Sequence, residues 1–165
     1  MQTRNAWIIV PIAMLAVAFS SIVLAQNDKY VDARHYPDES GWDRFNALAR
    51  RLTGDFDYIC GDTFCEGDYT NIQSLRFRCS VERATGMMGE CIWTLAGSYE
   101  EVDPDSGRVQ VDARTWQCKA PLLPGTPIEN FYAALEGSRP LDTIRAPLPG
   151  TEHSIYDGLA DCLSP

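Results

Sequence analysis

The chain has 165 residues, 23 of them acidic and 14 basic, for a formal net charge of −9. Nucleic acid and anionic membrane surfaces both repel such a balance, so neither is expected as a partner. The length is that of one compact domain.

Arg4 precedes an uncharged run from Ala6 to Ala25, and Gln26-Asn27-Asp28-Lys29 then turns polar. A basic start, an apolar middle and small residues before a polar switch make a secretory signal peptide, here residues 1–25. Val23 and Ala25 stand at the −3 and −1 positions of the cleavage site. The competing reading, an uncleaved anchor of about 20 residues, conflicts with Pro11 and the Ser20-Ser21 pair. No cysteine follows the site to accept a lipid, so no stable membrane anchor is expected after cleavage. Taking 25 residues from 165 leaves 140, and losing one arginine with no acid changes −9 to −10. The expected location is periplasmic or secreted.

Residues 26–39 are polar and read as a flexible N-terminal segment, followed by a single α+β domain over 40–165. Ser40 suits an N-cap and Asp43 the acid of a capping box. Trp42, Phe45, Leu48 and Leu52 recur at helical spacing, and Gly54 reads as the stop. From Leu75 the period becomes two: Leu75, Phe77, Cys79 and Val81 alternate with Arg76, Arg78, Ser80 and Glu82. After a turn at 84–89, Cys91, Trp93, Leu95 and Tyr99 alternate in a second strand. Asp103-Pro-Asp-Ser-Gly107 is a hairpin connection into a third strand, 108–118. The apolar phase shifts between Val109/Val111 and Trp116/Cys118, which predicts a bulge.

Ala120-Pro-Leu-Leu-Pro-Gly-Thr126 is echoed by Ala146-Pro-Leu-Pro-Gly-Thr151, and each leads into a short helix. Thr126 reads as an N-cap, Pro127 as the first helical residue and Glu129 as a capping-box acid. The order is an N-terminal helix, a three-stranded antiparallel meander and two C-terminal helices, an α+β fold with helices on one sheet face.

Six cysteines in an exported chain read as three disulfides. Cys79 and Cys91 share the apolar face of the first two strands, so they pair. Cys118 at the end of the third strand then takes Cys162 in the last helix, which leaves Cys60 with Cys65. That last pair lies in Cys60-Gly-Asp-Thr-Phe-Cys-Glu-Gly-Asp-Tyr69, the stretch that looks most like chemistry. A redox pair has two intervening residues and a basic surrounding; here there are four and no base. Calcium fits better by ligand type, with Asp55, Asp57, Asp62, Glu66 and Asp68 supplying oxygens. The spacing fails, since position 59 is Ile and no glycine follows it, so no cofactor or metal is assigned. The stretch is read as a stapled surface loop.

His35 and His153 are the only histidines. His35 falls in the segment 26–39 and His153 in the first turn of the last helix, with no nucleophile-elbow motif near either. An acid pair of glycosidase type is the remaining enzymatic option, in a chain where carboxylates are common. Tyr58, Phe64 and Tyr69 flank Asp62, Glu66 and Asp68, so aromatic anchors with a steering charge form the candidate binding set. The bland counterpart is that these aromatics pack inward and pin the loop. The leading function is an acidic protein-binding module for a protein with a cationic surface, such as an inhibitor or immunity-type protein against a basic envelope enzyme. A hydrolase or carbohydrate-active enzyme would show two facing carboxylates in a cleft. A structural envelope protein would show no concentrated acidic or aromatic patch.

Overall fold

The computed structural model describes residues 28–139 and 141–164; the segment expected to be a signal peptide, 1–25, lies outside them. Helix α1 runs from Gly41 to Cys60, longer than the sequence predicts. Gly54 does not stop it. A mid-helix glycine costs about 1 kcal/mol, but Leu52, Phe56 and Ile59 continue the buried stripe of Phe45 and Leu48 past it. Burying even one such side chain is worth roughly 1.5–3 kcal/mol, so the stripe prevails. Ser40 makes no side-chain cap; Asp38 instead accepts the Ser40 N–H at 2.8 Å.

The sheet has four antiparallel strands in sequential order, one more than predicted: β1 Tyr30–Asp32, β2 Gln73–Glu82, β3 Met88–Val102 and β4 Val109–Lys119. The extra strand comes from the segment expected to be flexible. Its partners run from Tyr30 opposite Glu82 to Asp32 opposite Ser80, and Ala33 just beyond is fully buried. Its polar sequence concealed an anchor. The Asp32 carboxylate accepts the Arg34 N–H at 2.9 Å, the Arg34 guanidinium at 3.1 and 3.2 Å, and Arg78 Nε at 2.6 Å. Burial alone would raise the Asp32 carboxyl, but the Arg34 hydrogen bonds and the Arg34 and Arg78 charges outweigh it and hold the group below its usual 3.8. A lowered carboxyl contributes stability above its unfolded pKa and loses it as pH falls through the folded one. Asp32→Asn should therefore destabilise the protein by about 2 kcal/mol at pH 7. The gap between variant and wild type in urea midpoints should close in acid, below the ordinary carboxyl range.

Phe45 stacks on Phe77 at 6.1 Å, Phe77 meets Trp93 edge-on at 5.5 Å, and Phe56 meets Trp93 at 5.7 Å, so α1 packs on one sheet face. Inward alternation holds for Phe77, Cys79, Val81, Cys91, Trp93 and Leu95 but not for Leu75, which is exposed. A register shift between Ser74 and Arg76 turns it out. The predicted bulge in β4 is absent: β3 and β4 pair without interruption from Ile92–Lys119 to Val102–Val109. Because that ladder is uninterrupted, Val109 and Val111 fall at the alternate positions to Trp116 and Cys118 and point to the helix-free face of the sheet. Tyr99 shares the face of Trp93 and Leu95 but is exposed, because the hairpin outruns the core there.

Helices α2, Ile128–Glu136, and α3, Ile155–Leu163, complete the α+β fold. The two echoed stretches form the same turn. Thr126 N donates to Leu123 O and Thr151 N to Leu148 O, with Gly125 and Gly150 at φ 81° and 74°. Proline at the second turn position and a positive-φ glycine at the third are what a type II turn demands. The capping box belongs to α3, through Ser154 and Asp157, and not to α2. Thr126 Oγ1 turns back to Leu123 O, and Glu129 is drawn to Arg44 of α1 at 2.8 Å. Arg44 also holds Glu136 at 2.8 Å and stacks 3.9 Å over the Tyr132 ring.

Burial pushes the Tyr132 phenol up to about 12, and its hydroxyl is the one buried side-chain polar atom without a partner among the described residues. Removing an unsatisfied group relieves its desolvation penalty. Tyr132→Phe should leave stability unchanged or raise it by up to about 1 kcal/mol, read from thermal unfolding.

The cysteines pair as Cys60–Cys65, Cys79–Cys91 and Cys118–Cys162, as the strand faces and loop closures predict. Among the described residues no helix is long and apolar enough to cross a membrane.

Candidate binding site at the acidic end

The stretch from Cys60 to Tyr69 begins as the last residue of α1 and leaves through tight turns. Cys60 O accepts the N–H groups of Thr63, Phe64 and Cys65 at 3.2, 3.0 and 2.7 Å, and Thr63 Oγ1 donates to Ile59 O at 2.7 Å. These bonds use helix-end carbonyls that would otherwise lack donors. The Cys60–Cys65 disulfide closes the same turn.

Two of the three flanking aromatics pin the loop. Phe64 is half-buried, stacked on Phe56 at 6.0 Å and against Tyr156 of α3 at 5.2 Å. Tyr69 packs edge-on to Trp116 at 5.3 Å, and its hydroxyl donates to Asp112 of β4. That hydrogen bond chiefly, with some burial, raises the phenol above 10.0, against the opposing charge of Arg114. Asn71 fixes the loop to β3, donating to Ser98 Oγ at 2.8 Å and accepting the Ser98 N–H at 2.7 Å. Gly97 permits this approach, since a Cβ there would meet Ile72 at 3.2 Å and Asn71 at 3.4 Å. Tyr58 alone stays open, 69% exposed on α1.

Asp62, Glu66 and Asp68 are exposed, and none forms an ion pair among the described residues. The β3–β4 hairpin, to which the loop is tied, adds Glu100, Glu101, Asp103, Asp105 and Asp112, against Arg108 and Arg114. Sequence reading missed this contribution. The signal was present in Glu100, Val102, Val109 and Val111, which alternate out of phase with the inward set and pair on the helix-free face. Val102, Val109 and Val111 are each more than 60% exposed beside Glu100 on that face, while the loop packs through Tyr69 and Trp116 on the other. Asp103 is partly committed to the turn: Oδ1 accepts the Asp105 and Ser106 N–H groups at 3.0 and 2.8 Å, and the Ser106 bonds hold its carboxyl below 3.8.

The oxygens considered for calcium are not gathered. Asp55 and Asp57 lie in α1, and both Asp55 oxygens are used, accepting the Leu141 N–H at 2.9 Å and the Ile144 N–H at 3.0 Å. Among the described residues no three His, Cys, Asp or Glu side chains cluster as a metal site would require.

Two surface grooves hold carboxylate pairs, Asp32 with Glu90 and Asp28 with Glu82. Asp32 is clamped by arginines, Glu90 faces Lys119 at 3.4 Å, and Glu82 faces Lys29 at 3.4 Å. A general acid needs a carboxyl held up in pKa, whereas bonds from Thr85 and Lys29 hold Glu82 down. His153 precedes the α3 N-cap, its N–H donating to Thr151 Oγ1 at 2.8 Å, while His35 sits 3.4 Å from Glu39.

No known protein family, curated protein or solved structure matches the chain.

Proposed function

We propose that the protein is an exported protein-binding module whose acidic end engages a partner with a cationic surface, in the manner of an inhibitor or immunity-type protein. One observation carries the reading: three unpaired acids stand on a loop locked by a disulfide and by its bonds to β3 and β4, with the open Tyr58 of α1 beside them and exposed valines on the hairpin at the same end. Exposed apolar surface rimmed by charge marks interaction sites, and a rigid loop loses little entropy when it is engaged. Three disulfides suit the oxidising compartment that the N-terminal sequence implies. The contact set is Tyr58, Asp62, Glu66 and Asp68, joined by the hairpin tip, while Phe64 and Tyr69 hold the loop in shape.

Replacing Asp62, Glu66 and Asp68 by Asn, Gln and Asn should leave stability within about 0.5 kcal/mol, since these are exposed side chains that repel one another. Association with a cationic partner should slow and lose salt dependence in the triple variant, because rim charges act mainly on the on-rate. Tyr58→Ala should instead speed dissociation. Surface plasmon resonance at several salt concentrations separates the two effects. Unchanged kinetics in both variants would remove this end of the molecule from the reading. A rise in melting temperature with calcium, lost in the triple variant, would assign the acids to a metal instead.

A further inference from the structure

The opposite edge of the sheet has the reverse character. β1 pairs with β2 only over Ser80–Glu82, after which the chain turns away into a short 3-10 helix at Ala33–His35. From Gln73 to Cys79 the outer edge of β2 has no strand partner. Beside it lies a groove of about 320 Å³, lined by Arg34, Ala49, Arg50 and Thr53 on one side and Leu75 and Arg76 on the other. Leu75 is 57% exposed there. Arg50 and Arg76 have no carboxylate partner among the described residues. In a chain of net charge −9, two free guanidinium groups at one unpaired strand edge are a local reversal of sign.

The molecule already contains a pattern for what such an edge holds. β1 is a short strand added to β2, and its acidic residue, Asp32, reaches across to Arg78 of β2 at 2.6 Å. Arg76 stands two residues further along β2. Side chains two apart on a strand share a face, so Arg76 repeats the position of Arg78 where β1 has left the edge. We propose that this edge takes an extended acidic peptide, which continues the row begun by β1 and places its carboxylates on Arg76 and Arg50. Main-chain bonds to the β2 edge supply affinity and the guanidinium groups select acidic side chains, as in other strand-addition complexes. Arginine suits the task because it stays charged and grips a carboxylate with two parallel donors.

The test uses the disulfide-intact chain and the acetylated, amidated pentapeptide Val-Glu-Glu-Glu-Val, whose adjacent acids reach both faces of an added strand, with Val-Gln-Gln-Gln-Val as its neutral counterpart. Nuclear magnetic resonance titration should give saturable binding, with the largest amide shifts over 73–79 and slowed amide exchange along that edge. Arg76→Ala and Arg50→Ala should each weaken binding roughly tenfold, the loss of one charge-assisted interaction. Both side chains are exposed, and matching melting temperatures would show that the variants fold. The neutral peptide should bind at least as poorly as either variant binds the acidic one. Absence of saturation at millimolar peptide, or shifts centred away from 73–79, would overturn the proposal. Equal affinity for both peptides would do the same. Self-association of the wild type that Arg76→Ala abolishes would identify the occupant as a second copy, also against the proposal.

Discussion

Asp55→Ala should destabilise the protein by about 3 kcal/mol, because a buried and a part-buried N–H group lose their acceptor at once. Asp55 is only 3% exposed, and its two oxygens cap the turn at 141–145 through Leu141 and Ile144. One helical turn earlier, Arg51 donates to Glu136 O at 3.3 Å and Ser138 O at 2.8 Å, so α1 presents a cation to the C-terminus of α2. That end of a helix carries partial negative charge, and the N–H groups that follow it want an anion. The i, i+4 pair on α1 thus supplies each charge where the backbone calls for it. Asp55→Asn keeps one acceptor oxygen and should lose about half as much in urea unfolding. A loss below about 1 kcal/mol for Asp55→Ala would mean that water reaches the turn and replaces the carboxylate.

Removing the Cys118–Cys162 bond by a double alanine substitution should have the largest effect of all. It closes 44 residues and ties α3 to the end of β4. The chain-entropy relation gives about 4 kcal/mol for such a loop, against about 2 kcal/mol for Cys60–Cys65, which closes five. Releasing α3 also withdraws Tyr156 from Phe64, so the loss should reach the acidic loop. Urea unfolding of the two double variants compares the terms directly. A larger loss from Cys60–Cys65 than from Cys118–Cys162 would contradict this ranking.

Period and turn chemistry carried much of this fold in the sequence. Phe77 to Val81 and Cys91 to Leu95 alternate as written, and the cysteines on those faces led to their pairing. Three features hid for physical reasons. Gly54 looked like a stop because helix propensity is local, whereas the buried stripe that overrides it requires the sheet to be in place. β1 was invisible because three residues without alternation carry no period; what holds it is the long-range pairing of Asp32 with Arg78. The apparent phase change in β4 assumed that valines face inward. In the uninterrupted ladder they take the alternate positions to Trp116 and Cys118 and so face away from the helices. The same reasoning divides the candidate site: Asp62, Glu66 and Asp68 were legible as exposed acids, but which aromatics were open was not. Phe64 and Tyr69 found partners in Phe56, Tyr156, Trp116 and Asp112, all distant in sequence.

The proposed role of the acidic end is most directly tested by parallel capture from an envelope extract. Tagged mature wild type and the Asp62→Asn, Glu66→Gln, Asp68→Asn triple variant would be used as bait, read by quantitative mass spectrometry. Wild type should retain a basic exported protein at low salt, and the variant should lose it while melting at the same temperature. Recovery of the same protein in equal amount on both baits, or of no basic protein on either, would contradict a binding module acting through this end.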